Sequence, residues 1–324
     1  MTARLVLPAD APRDEWLAAR RRGVTASEIA VVLGISPWSS AFNLYHQKVG
    51  AIDADTDDDI KSLGRHLEPW IADRWADDHP EWVIAPGRLW ANADRPWQLA
   101  TTDRDLYRLN ETTMGPPHSV LEIKSSGTYD GWGPDGTDEI PAYYRAQVLW
   151  QLDTLGLQVG HVTCLFLSTR QRRDYVIAYD PDDVELMREA AREFLDRVER
   201  GDAPPIDHTP ATTAALRELY PLGDDDTETE VSADLAAEYR AARAALDQAR
   251  ERYDLAVNRL RAAMGDARRA LTPDGDPVAS RSVYERTGVD TRRLRADYPD
   301  AYTACRTVST VDKITPARSK KGNP

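Results

Sequence analysis

The chain has 324 residues, 41% hydrophobic and 29% charged, enough for one large or two modest domains with a sizeable core. Its net charge of −13 argues against a broadly DNA-coating surface and confines phosphate contacts to local patches. Two cysteines, Cys164 and Cys305, and six scattered histidines exclude a Cys₄ zinc site or a cysteine-ligated iron–sulfur cluster. No apolar run approaches the roughly 20 residues that cross a bilayer, and the N-terminus lacks a signal-peptide core, so a cytoplasmic protein is expected.

In chain order, the first helix is expected from about Arg13 to Arg22. Next, RRRGVTASEIAVVLGIS carries a capping box, Thr25 with Glu28, ahead of an apolar stripe of Ile29, Val32 and Leu33. Free N–H groups at that helix start, the Ser27 hydroxyl and Arg20–Arg22 compose an anion site. The same residues would equally serve as a well-capped helix with a solvated basic turn. A further helix ends near Gly50. Asp59-Ile60-Lys61 lies in an acidic, loop-like run, after which LGRHLEPWIADRWADDHP reads as a helix with Leu67, Ile71 and Trp75 inward. Glu68 stands one residue off that stripe. Residues 82–107 alternate short apolar runs with turns, as in an antiparallel meander leading to Asp103.

VLEIKSS, residues 120–126, reads as a strand with Leu121 and Ile123 on one face and Glu122 and Lys124 on the other. That sets a carboxylate and an ammonium roughly 7 Å apart at their Cα atoms on a fixed backbone. With Asp103 upstream, two hard oxygen ligands and a lysine suit Mg²⁺ and phosphoryl chemistry. A Gly/Pro/Asp-rich loop follows, then a helix from Pro141 to Gly156 whose second face aligns Tyr143, Gln147 and Gln151. A hairpin over 161–179 and a helix from Asp180 to about Arg200 complete the first domain, expected over 1–208. Residues 209–231 read as an acidic linker. Residues 232–324 read as an extension for assembly or DNA contact. It holds a long helix with a coiled-coil-like seam to Met264, a hairpin at 273–277, a short helix from Asp290 and a last strand near 305–315. From Arg268 onward there are 12 Lys and Arg against 7 Asp and Glu, which leaves −18 on the first 267 residues.

These pieces resemble the YqaJ-type viral recombinase family, relatives of the phage lambda exonuclease in the PD-(D/E)XK nuclease superfamily. The matching blocks, in the family's order, are residues 20–36, GRHLEPWIADRW (64–75), ATTDRDLY (100–107), LEIKSS (121–126) and YYRAQVLWQL (143–152). The resemblance implies an α/β fold, a mixed sheet flanked by helices. It implies Asp103, Glu122 and Glu68 as metal carboxylates, Lys124 as the catalytic lysine and Gln147 as the glutamine closing the site. It implies Arg20 or Arg21, with Ser27, as the pocket for a 5′-phosphate. The family has Gly after the motif aspartate, whereas Arg104-Asp105 follow here, so Asp105 is a second candidate on the same strand face.

The implied activity is Mg²⁺-dependent exonuclease digestion of linear duplex ends, 5′ to 3′, for phage-type recombination, with Mn²⁺ able to substitute. The implied partners are double-stranded DNA ends, a single-strand annealing protein and further copies of the chain in a ring-shaped trimer, without a membrane. A structure-specific or defence-type endonuclease, or a silent DNA-binding scaffold, are the rival readings.

Overall fold

The computed structural model describes residues 3–53, 59–109, 113, 115–221, 227–309 and 314, which fall into two units, Met1–Leu222 and Gly223–Pro324. The first unit opens with β1 (Ala3–Leu7), α1 (Arg13–Arg20), β2 (Val24–Thr25), α2 (Ala26–Val32) and α3 (Ala41–Lys48). Then come α4 (Asp59–Asp78) and four strands, β3 (Trp82–Pro86), β4 (Leu89–Asn92), β5 (Gln98–Thr101) and β6 (Arg104–Arg108). They are followed by β7 (Ser119–Ser126), α5 (Ala142–Leu155), β8 (Val159–Phe166), β9 (Gln171–Ala178), α6 (Pro181–Arg200) and α7 (Pro210–Leu219).

Residues 82–107 are expected to form one meander; they instead divide between two sheets. β3 and β6 join a five-stranded sheet of order β3-β6-β7-β8-β9, while β4 and β5 join a four-stranded sheet of order β1-β4-β5-β2. Short apolar runs specify strands but not their partners, because pairing depends on which faces find cover. β7 and β8 are parallel and α5 crosses between them, whereas β6–β7 and β8–β9 are antiparallel. The result is the expected α/β architecture, a mixed sheet flanked by helices.

α5 explains the arrangement. From Val148 to Leu155 every residue is buried, so it is apolar or internally satisfied all round, as a helix covered on both sides must be. It packs against β4 and β5 on one side and against β7, β8 and β9 on the other. α6 covers the same core with Val184, Met187, Ala191 and Phe194. The opposite face of the five-stranded sheet is closed by α4, whose Ile71 and Trp75 meet Leu121 and Ile123. β7 is therefore covered on both faces, which sets its charged side chains on a fixed backbone.

Three expectations need correction. Asp59-Ile60-Lys61 is the first turn of α4 rather than loop; helix formation is carried by packing further along, not by the local acidity. The acidic linker expected from 209 begins instead with α7, which packs on α3 through Ala215 and Phe42 and through a 2.7 Å hydroxyl contact between Thr212 and Ser40. Residues 305–309 and 314 are not strand; the rest of that expected strand lies outside the described residues.

The second unit contains α8 (Ala233–Met264), a hairpin of β10 (Arg269–Leu271) and β11 (Pro277–Ser280), α9 (Thr291–Asp297) and α10 (Pro299–Ala304). The long helix, the hairpin and the Asp290-capped helix agree with the sequence, and α10 is additional.

Candidate active site

Glu122 lies near the middle of β7 and is 1% exposed. Burying a carboxylate is costly unless donors surround it, and they do. Gln147 Nε2 donates to its Oε1 at 2.5 Å and Gln151 Nε2 to its Oε2 at 2.6 Å. The Lys124 ammonium, two residues along the same face, also donates to Oε1. Gln147 and Gln151 come from successive turns of α5, so the helix presents a pair of amides to the strand. Gln151 is anchored by a second bond to the Thr101 carbonyl at 2.9 Å. Its own Oε1 is buried without a hydrogen-bond partner.

Asp103 stands just ahead of β6, and its Oδ2 accepts the Ile123 N–H at 2.7 Å, which fixes it beside Glu122. Glu68 comes from α4 and pairs with Arg104, whose guanidinium also donates to the Asp103 carbonyl at 2.6 Å. The charges interact accordingly. Burial, and after it the Asp103 charge, push the Glu122 carboxyl up to about 7 against the pull of Lys124 and Gln151. Burial and Asp103 likewise raise Glu68, with Arg104 and Lys124 opposing. Burial opposes the Lys124 ammonium, yet Glu122 and Asp103 outweigh it and hold Lys124 protonated well above its ordinary value.

The structure thus brings Asp103, Glu122, Lys124, Glu68 and Gln147 together. It separates Asp105, which is fully buried in an ion pair with Arg88 at 2.8 Å and a hydrogen bond from Thr102 at 2.6 Å. Two-residue alternation fails between 103 and 105 because Asp103 precedes the strand, so the two do not share its face.

Among the described residues no group of three or more His, Cys, Asp or Glu side chains is gathered as a ready metal cluster. The donors nevertheless fit a hard divalent cation. They are carboxylate oxygens, with the Asp103 charge raising the proton affinity of both Glu122 and Glu68, and an unpartnered acceptor at Gln151 Oε1. Mg²⁺ takes one or two carboxylates and keeps several waters, so a closed cage is not required.

A second charged group surrounds the start of α2. Arg20 donates to Ser27 Oγ at 3.1 Å, to Thr25 Oγ1 at 3.3 Å and to Glu28 Oε1 at 3.3 Å. Glu28 in turn accepts the Thr25 N–H at 2.9 Å, the expected half of the capping box. Lys48, 9% exposed, reaches in from α3 to Glu28 at 2.8 Å and to the carbonyls of Arg20 and Gly23, both at 2.6 Å. Burial raises the Glu28 carboxyl, but Lys48 and Arg20 outweigh it and leave it lowered. Gly23 has no alternative here, since a Cβ would lie 1.9 Å from the Trp97 carbonyl oxygen. Arg20 rather than Arg21 is beside Ser27; Arg21 is exposed at the C-terminal cap of α1. Trp150 of α5 donates to the Val24 carbonyl at 3.2 Å and the Leu99 carbonyl at 3.1 Å, tying this group to the helix that carries Gln147.

Sequence reasoning did not single out Gln151, Arg104, Lys48 or Glu28 for the site. Gln151 left a signal in its position one turn beyond Gln147, and Glu28 in its capping box with Thr25.

Residues 15–158 match the YqaJ-like viral recombinase domain. Over 302 residues, 90% of this chain and 89% of its relative, the sequence is 24% identical to the uncharacterized protein YqaJ of Bacillus subtilis strain 168. Among solved structures, an alkaline exonuclease from Laribacter hongkongensis superposes at TM-score 0.46 with 19% identity, over 58% of this chain and 94% of that one. A phage-related exonuclease from Haemophilus somnus 129PT superposes at 0.41 with 11% identity, over 55% and 96%.

Proposed function

We propose that this chain, whose residues 15–158 carry a YqaJ-like viral recombinase domain, is a metal-dependent nuclease that resects linear duplex DNA ends 5′ to 3′. The observation that carries this reading is the buried Glu122, held between the Lys124 ammonium and the two α5 amides with Asp103 alongside. Such a constellation is expensive to bury and is suited to phosphodiester hydrolysis.

Asp103, Glu122 and Glu68 would hold Mg²⁺, or Mn²⁺ in its place. When bound, the ion would supply a Lewis acid for the scissile phosphate and a water of lowered pKa. The protein's own residues do the rest. Gln147 and Gln151 fix the rotamer of Glu122, so the carboxylate meets the metal pre-oriented. Lys124 would orient the attacking water or, through its ammonium, offset the charge that develops on the phosphate oxygens. Arg20 and Ser27 would receive the terminal 5′-phosphate through charge-assisted hydrogen bonds. α2 has only seven residues, so these side chains rather than the helix dipole would carry that binding. Further copies of the chain, as a trimer, and a single-strand annealing protein would be the partners of this activity.

The test compares one DNA in linear and covalently closed circular form, with Mg²⁺ and with chelator. Linear-only, metal-dependent loss of 5′-phosphorylated strands is expected; cleavage of the closed circle would put an endonuclease in its place. Lys124→Ala should slow digestion by about 10²–10³-fold, the cost of one charge-stabilising donor, with DNA binding kept. Arg20→Ala should lower the preference for 5′-phosphate over 5′-hydroxyl ends, and Arg21→Ala should leave it unchanged.

A further inference from the structure

A run of aromatic rings leads from the core to the surface and passes Lys124. Trp132, at the inner end, is buried against Tyr175 at 5.3 Å and Phe166 at 5.9 Å between ring centroids. Tyr144 packs on it at 5.6 Å, and Tyr143 lies edge-on to Tyr144 at 4.5 Å. Trp38 completes the run, edge-on to Tyr143 at 4.9 Å and tilted over Tyr144 at 5.8 Å. The Lys124 ammonium sits 5.0 Å from the Tyr144 ring centroid, so a single ring separates Trp38 from the reaction centre.

Trp38 is 63% exposed. An indole with that much surface in water adds little to the core, yet its place is fixed. Pro37 restricts the backbone before it, and its own N–H donates to Ser36 Oγ at 3.3 Å. The two tyrosines behind it are half-buried on α5 and rest on the buried Trp132. The arrangement is an anchored ledge whose outermost ring still offers surface to a planar partner.

We propose that Trp38, backed by Tyr143 and Tyr144, is a stacking platform for a nucleobase of the strand whose phosphate reaches Lys124. This rests on the nuclease reading above. A nucleobase is the occupant that the surroundings specify: it is planar, it is tethered to the phosphate that Lys124 attracts, and it becomes free to leave the duplex stack at a cut end. Base–aromatic stacking tolerates any sequence, as an end-resecting enzyme requires.

The test uses the full-length protein, with Ca²⁺ in place of Mg²⁺ to hold back cleavage, and short 5′-phosphorylated duplexes whose terminal nucleotide is either natural or abasic. Binding is read by fluorescence anisotropy. The wild type should prefer the natural end by about 5- to 100-fold, the span of one base–aromatic stack. Trp38→Ala should bind both ends equally and weakly, and Trp38→Phe should keep most of the preference. Because Trp38 is exposed, the variants should melt with the wild type. A wild type without preference, or Trp38→Ala retaining it, overturns the proposal. Digestion in Mg²⁺ separates the two readings. If the wild type digests neither duplex while the Trp38-dependent preference persists, the nuclease reading fails and the platform stands. If Trp38→Ala digests and binds natural ends as the wild type does, the platform fails and the nuclease reading stands.

Discussion

Glu122 is a fully buried carboxyl that the proposed mechanism needs in its charged form. Its carboxyl is raised from 4.5 to about 7 by burial and by Asp103, so between those values the native state binds more protons than the unfolded chain. Stability from this group therefore falls as pH rises from about 4.5 to 7, and the full penalty is present above 7. A divalent cation held by Glu122 would remove that penalty. The Mg²⁺-induced rise in melting temperature should accordingly be larger at pH 8 than at pH 6; an equal rise at both would mean that Glu122 is not a ligand. Asp153 shows the opposite case. It is 6% exposed and accepts from Gln98 at 2.7 Å, Arg188 Nε at 2.9 Å, Tyr179 at 3.0 Å and Arg95 at 3.1 Å. Burial raises its carboxyl, but Arg188 and Gln98 outweigh burial and leave it lowered. Its stabilisation is present above the unfolded value near 3.8 and is lost as pH falls through the lower folded value. Asp153→Ala would remove the acceptor that Arg95, Arg188 and Gln98 share, leaving Arg188 with Glu185 and Arg95 with Gln98, and should cost about 1–3 kcal/mol in denaturant unfolding at pH 7.

At the scale of elements, the proposed site depends on how closely α5 approaches β7 and β8. Gly160 sets that distance. A Cβ there would lie 2.9 Å from Val148 Cγ1 and 3.3 Å from both Leu152 Cδ2 and Val120 Cγ2. Those are methyl groups of the helix and of the central strand, packed in the core, and they must give way to admit a Cβ. Gly160→Ala should destabilise by about 1–3 kcal/mol, the cost of overpacking a tight core. It should also lower nuclease activity at temperatures where the protein remains folded, because Gln147 and Gln151 shift with the helix. Unchanged activity with lowered stability would show that the glutamines tolerate the shift.

For the whole molecule, the chain divides into Met1–Leu222 and Gly223–Pro324, and the proposed chemistry belongs to the first. Among the described residues, every hydrophobic core cluster and every candidate catalytic side chain lies in the first unit. α8 has no buried residue along 32 positions, and Leu235, Tyr239, Leu246 and Tyr253 of its apolar seam are exposed. The second unit also holds the basic excess beyond Arg268. Residues 1–222 should therefore fold alone, with an unfolding midpoint close to that of the full chain. The truncated protein should have a smaller mass by light scattering and a shallower dependence of DNA affinity on salt. Normal assembly and an unchanged salt slope in the truncated chain would assign α8 another role.

The sequence alone determined most elements and most of the candidate site. Helix periods, caps and strand alternation are local properties, and Glu122 with Lys124 on one strand face follows from a period of two. It also marked Asp103, Glu68 and Gln147 through their blocks, and Arg20 and Ser27 to within one position. Tertiary structure decided the rest, because the rest depends on contacts between distant segments. It decided that the strands over 82–107 divide between two sheets, since pairing follows available cover rather than order. It gave Asp105 to Arg88, because the partner that neutralises a buried acid need not be near it in sequence. It turned Gln151 from one member of a polar helical stripe into a donor to Glu122, since β7 and β8 close over that face of α5. It placed Arg20 rather than Arg21 beside Ser27, through a lysine 28 residues away that holds the Arg20 carbonyl. Each of these outcomes is a choice among partners for a buried polar group, and only the folded chain brings the partners into reach.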